Sequence, residues 1–178
     1  MFDEKTLKHI RYKFSHLGRI DFYDLPKEWA VEDLLREFKW KVDWDDLFRR
    51  GITLNENFIR ELIKDGTLTE EVIKESLSCF HPLSEQFMSE FADKLEWIYI
   101  SSAQKMSEKF MDRFADKLDF HFLPQYRPLS NEFIERYENR WNWLTIAEKQ
   151  KNVAGYLIER HKDEMPGWAY DYAMRRYK

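Results

Sequence analysis

The chain has 178 residues, with 29 basic and 33 acidic side chains, a formal net charge of −4, and Phe, Tyr or Trp at 17% of positions. That balance excludes nucleic-acid binding driven by bulk basic charge, and the acidic excess is too small for a DNA mimic. No apolar run approaches the roughly 18 residues of a membrane-spanning helix, and Met1 to Lys5 begin no apolar leader. A single cysteine, Cys79, leaves no internal disulfide, so a cytoplasmic protein without membrane contact is expected.

In chain order, residues 1–29 read as a degenerate first copy of a helical repeat, carried by Ile10, Phe14, Ile20, Asp21, Phe22 and Leu25 and ending near Pro26. Residues 30–53 form a second copy, with Leu34, Phe38, Lys41, Val42, Asp43, Trp44 and Leu47, so that 6–53 holds the degenerate copies. Residues 54–82 open as a third copy at Leu54, Glu56, Phe58 and Leu62. It is expanded, with a turn at Asp65-Gly66 and a break at Pro82.

Residues 83–150 contain three regular copies. Leu83, Met106 and Leu129 open them at a spacing of 23 residues, and a strict period of this size marks an array of stacked units. Ser84, Ser107 and Ser130 stand where a hydroxyl can accept from the open amides of a first turn, with Glu close behind for the positive end of the dipole. Phe87/Phe91, Phe110/Phe114 and Phe133/Tyr137 put two aromatics on one helix face. A second start follows each first helix, with Asp43, Asp119 and Asn142 as N-caps and Glu96 as a poorer one. Neither helix is long enough to be stable alone.

Residues 151–178 are expected to leave the pattern and cap the array, as terminal units do. Val153, Tyr156, Leu157 and Arg160 predict one helix, Pro166-Gly167 ends it, and Trp168, Tyr172 and Met174 predict a last short one. The predicted fold is therefore all-α, a single domain over 1–178 of tandem helix-pair repeats in a short solenoid-like or compact helical array with a C-terminal helical cap. Alternating strand patterns are missing and Gly is scarce, so hairpins are not expected.

The sequence carries little that reads as chemistry. No two of the five histidines have the i, i+4 spacing of a helical zinc site, Cys79 has no CxxC partner, and no Gly-rich phosphate loop or Gly-x-Ser-x-Gly elbow occurs. Cys79 and His81 read as a small buried thiol and a loop imidazole. Asp43, Asp45 and Asp46 read as a cap and first-turn charges, with a metal cluster as the alternative. No cofactor, metal or catalytic residue is expected. The recurring aromatics have core spacing, with a base-stacking platform as the alternative.

Two candidate partner-binding features remain. Lys41, Lys94, Lys117 and Arg140 share one repeat position and would form a ladder for an acidic partner; the plainer reading is a set of C-terminal charges on each first helix. Trp168 and Tyr172 beside Arg175 and Arg176, with Tyr170 and Tyr177, form a basic aromatic patch outside the regular copies.

The stretch from Leu83 to Ser101, read as Leu-Ser-Glu-x-Phe-x-x-x-Phe-x-Asp-Lys-Leu-Glu-Trp-x-x-Ile-Ser, resembles a short helical repeat of uncharacterised proteins from tailed bacteriophages and large DNA viruses. The resemblance covers 83–150, is partial over 30–53, breaks at 54–82 and is absent from 151–178. It implies a virus-encoded accessory protein in the host cell cytoplasm and carries over no catalytic residue. The expected function is a non-enzymatic protein–protein interaction module that binds or inhibits a host protein. The alternatives are a nucleic-acid-associated protein using the basic aromatic C-terminus, and an enzyme with an unfamiliar site between repeats.

Overall fold

In the computed structural model, which describes residues 2–177 except the side chain of Tyr177, the chain is all-helical. It divides into two compact units, one ending at Glu96 and the other beginning at Trp97.

The N-terminal unit contains α1 (Glu4–His16), α2 (Glu32–Glu37), α3 (Trp44–Arg49), α4 (Glu56–Lys64), a π-helical segment (Val72–Leu77) continuous with α5 (Ser78–Phe80), and α6 (Glu85–Glu90). Side-chain caps start several of these helices: Asp43 accepts from Asp46 N–H and Ser84 from Phe87 N–H, as the sequence predicts, and Asp3 also accepts from Thr6 N–H. Two ends use glycine. Gly51 (φ 67°) and Gly66 (φ 76°) adopt the left-handed conformation that only a residue without Cβ takes at little cost. Ile10, Phe14, Phe22, Leu34, Leu47, Phe58 and Phe87 are among the buried core residues, with Phe14 edge-on to Phe22 and Phe38. The Ile20 and Val42 loops meet in one isolated parallel bridge.

The C-terminal unit contains α7 (Trp97–Ala103), α8 (Glu108–Arg113), α9 (Leu123–Tyr126), α10 (Asn131–Arg136), α11 (Trp143–Lys149), α12 (Gly155–Arg160) and α13 (Gly167–Met174). The second helices pack in chain order, α7 on α9, α9 on α11 and α11 on α13. Asn142 caps α11 through Thr145 N–H, as expected. Asp119 instead accepts from His121 N–H in a tight turn, so that α9 starts only at Leu123. Aromatics of one repeat pack on the next: Trp97 stacks on Phe114 (5.0 Å between centroids) and Trp143 on His161 (3.7 Å), and Phe120 meets Tyr137 at a tilt (5.1 Å). These ring contacts join six-residue helices, each about 9 Å long, that would not persist singly.

Residues 151–178 form the two C-terminal helices that the sequence predicts, and these follow the helix-pair pattern of the preceding copies. α12 and α13 are a further helix pair: Val153, Leu157 and Ile158 are buried as Leu129, Phe133 and Ile134 are. Ala154 stands 24 residues after Ser130, at the N-cap, and has no side-chain cap of its own. The preceding repeat supplies the partner instead, as Asn131 Oδ1 accepts from Ala154 N–H at 2.7 Å.

Candidate interaction surface

The repeat cations are not a uniform ladder. They lie in the turn just past the first helix. Lys41 Nζ donates to the carbonyls of Ser15 (3.0 Å) and Leu17 (3.1 Å), and Arg140 donates to the Ala115 carbonyl (2.8 Å) with its guanidinium 3.7 Å from the Phe120 ring centroid. Each thus satisfies helix-end carbonyls of the preceding repeat rather than its own. Lys94 is exposed beside a shallow groove that Asp93, Glu70 and Gly66 also line, and Lys117 is exposed.

The C-terminal patch is only partly available. Trp168 (57% exposed) and Tyr172 (52%) project from α13, and Arg175 is exposed. Arg176 lies over the Tyr172 ring, 4.5 Å from its centroid, and donates to the carbonyls of Ala147 and Gln150 (3.3 Å to the latter) at the end of α11. Tyr170 donates its hydroxyl to Glu159. The side chain of Tyr177 lies outside the described residues.

A second set of polar residues, invisible as a motif, holds the repeats together. His81, Gln104, Arg127 and Gln150 are spaced by 23 residues at the end of successive second helices. Gln150 is buried, donates to the carbonyls of Pro124 (2.6 Å) and Arg127 (2.8 Å), and accepts from Leu129 N–H (2.9 Å). The buried His81 Nε2 accepts from Leu54 N–H at 2.9 Å, and burial pushes its imidazole below the ordinary histidine range. Ser78 and Ser101, also 23 apart and fully buried, accept from Glu96 N–H (3.1 Å) and Asp119 N–H (2.9 Å). The period itself was the signal: buried polar types recurring in register with an apolar repeat.

The acidic cluster is occupied by cations. Asp43 pairs with Arg19, Asp45 with Arg49 (2.9 Å) and Asp46 with Arg50 (2.8 Å). Among the described residues no three His, Cys, Asp or Glu groups are placed to hold a metal ion, and no helix is long and apolar enough to cross a membrane. Burial raises the Cys79 thiol, opposite to the shift that makes a thiolate nucleophile.

A further surface lies between the ends of α9 and α11. Residues 124–129 and 149–152 line a groove of about 320 Å³ that includes Tyr126 (61% exposed), Lys149 and Lys151. No family model matches the chain, no curated protein matches its sequence, and no solved structure matches its fold.

Proposed function

We infer that this chain is a non-enzymatic protein–protein interaction module, and that it serves as a virus-encoded accessory protein directed at a host protein. The observation that carries the interaction reading is the set of large aromatic side chains left exposed on both units. Tyr23 (76% exposed), Trp40 (70%), Tyr126, Trp168 and Tyr172 all project outward although each unit has a buried aromatic core of its own. Tyr and Trp in such positions are the residues that most often anchor protein interfaces. The viral assignment rests on the sequence resemblance of residues 83–150.

The interior chemistry supports the same reading. Its buried polar groups Gln150, Ser78 and Ser101 are engaged with backbone N–H and C=O groups of neighbouring repeats, and His81 ties the end of its own repeat back to Leu54 at its start. They fix repeat against repeat and leave the outer faces to recognition.

The test is affinity purification of the tagged chain from its native cell, with and without nuclease. A stoichiometric partner that survives nuclease is expected. Recovery of nucleic acid with nuclease-sensitive protein would replace this reading, and a chain that purifies alone would end it.

A further inference from the structure

Resting on that reading, we propose that the groove between Tyr126–Pro128 and Lys149–Asn152 docks an acidic linear segment of the protein partner. Carboxylates of the segment sit on Lys149 and Lys151, and one apolar side chain sits against Tyr126 and Pro128.

Charge complementarity carries the assignment. The chain has more acids than bases, yet no Asp or Glu lines this groove, while Lys149, Lys151 and Arg127 do. Lys149 and Lys151 are exposed and form no ion pair among the described residues. Elsewhere in the same unit exposed arginines are matched, Arg136 with Asp112 and Arg160 with Glu135 and Glu138. One further cation stands close, and Arg127 adds to the charge of the groove itself. Arg176 donates to the Ala147 and Gln150 carbonyls, on either side of Lys149, and Arg127 has Nε and Nη1 buried without a hydrogen-bond partner. This positive field has no acidic counterpart within the groove.

Shape narrows the occupant. A space of about 320 Å³ accepts a side chain or two of an extended segment, and it is too small for a folded domain. Its floor is held rigid, because Gln150 ties Pro124, Arg127 and Leu129 together through three hydrogen bonds. A preformed groove lowers the ordering cost of binding a flexible peptide. The cations of the repeat position serve less well, since Lys41 and Arg140 already donate to backbone carbonyls.

The experiment is a fluorescence-anisotropy titration of the whole chain with a short labelled peptide rich in glutamate and carrying one leucine. An unlabelled single-stranded oligonucleotide serves as competitor. Saturable binding is expected, weakened about tenfold or more by Lys149→Glu with Lys151→Glu. Lys64→Glu, an equal charge change per site on an exposed residue of the N-terminal unit, should leave it unchanged. Thermal melts establish that each variant is folded. Absence of saturable binding to the wild type, or equal binding by the double variant, overturns the groove. Displacement by the oligonucleotide at lower concentration than by unlabelled peptide overturns the partner class. If the double variant still retains the partner found by affinity purification, the groove falls and the interaction-module reading stands.

Discussion

The Glu108 carboxylate takes both donors of Ser130, the backbone N–H and the hydroxyl, each at 2.6 Å, while Ser130 Oγ accepts from Phe133 N–H at 3.1 Å. Glu56 holds Ser84 in the same way, at 2.6 and 2.8 Å. A glutamate in the first turn of one repeat therefore locks the N-cap of the next. Glu108→Ala should cost about 2 kcal/mol, because hydrogen bonds to a charged group are the stronger kind. Ser130→Ala should cost about 1 kcal/mol as a lost cap. The double variant should cost clearly less than the sum, since the two substitutions remove one shared contact. Urea unfolding at constant m-value measures all three. Strict additivity would mean that the carboxylate and the cap act independently.

Arg127 occupies the position that Gln104 and Gln150 fill in neighbouring repeats, and it fits less well. Its Nη2 donates to the Ser101 carbonyl, no acid among the described residues pairs with it, and burial lowers its pKa from the ordinary arginine value. Gln150 at the equivalent position satisfies both ends of its amide. Arg127→Gln should therefore stabilise the protein by about 1 kcal/mol, as removal of an uncompensated buried charge does. A lower urea midpoint in this variant would show that the guanidinium has a favourable role which its contacts do not reveal.

The repeat could be read from sequence wherever its caps and aromatics kept their identities. Ser84, Ser107 and Ser130 cap the helices as their spacing predicts, and the first aromatic of each pair (Phe87, Phe110, Phe133) is buried in the core, while Phe91, Phe114 and Tyr137 are half-buried. The last copy was hidden because three of its signals changed together. Ala154 replaces the capping serine, Pro166 replaces Asn142 as the second N-cap, and one residue is inserted. Its apolar face at Val153, Leu157 and Ile158 survived, and tertiary packing forms the helix without a local cap. The groove was not legible, because Tyr126 and Lys149 are 23 residues apart in sequence and adjoin only when α9 packs on α11. The polar contacts of Lys41 and Arg140 with the preceding repeat were missed for the same reason.

His81 confers an acid sensitivity that its glutamine counterparts lack. Its Nε2 accepts from Leu54 N–H and lies 3.2 Å from the Leu54 carbonyl, and protonation would place a positive charge inside the core, beside the edge-on Phe48 ring. Pro82 and Leu54 backbone bonds and the Glu56 charge oppose the shift, but burial outweighs them and holds the imidazole below 6.5. The unfolded chain therefore binds a proton that the folded chain refuses. The contribution is fully present above 6.5 and is lost as pH falls from there toward the folded value, with a slope of at most about 1.4 kcal/mol per pH unit. In His81→Gln this part of the pH dependence should vanish, while loss from carboxylates at lower pH remains. Urea midpoints at about pH 7.5 and about pH 5.5 decide the matter. Equal drops in both proteins would assign the sensitivity to other groups.

Charge polarity along the first helices reverses between the two units. In the N-terminal unit the arginine comes from the earlier helix, as in Arg36–Glu61 (2.9 Å) and Arg60–Glu90 (2.7 Å). In the C-terminal unit the acid comes first, as in Asp112–Arg136 and Glu135–Arg160 (3.2 Å). Within each unit these pairs help to hold each first helix in register against the next. Arg60 is the sharpest place to test this, because it also lies 3.8 Å from Glu56 and 5.0 Å from the Phe87 ring centroid. Arg60→Glu should cost about 1 kcal/mol, near the upper end for a partly exposed pair. Adding Glu90→Arg should recover about half of that, since the restored pair does not replace the contact with Phe87. The recovered part should shrink in high salt, as screening of an exposed pair requires. A double-mutant cycle at low and high salt reads each quantity. No recovery on swapping would leave the register of neighbouring repeats to the aromatic contacts and caps alone.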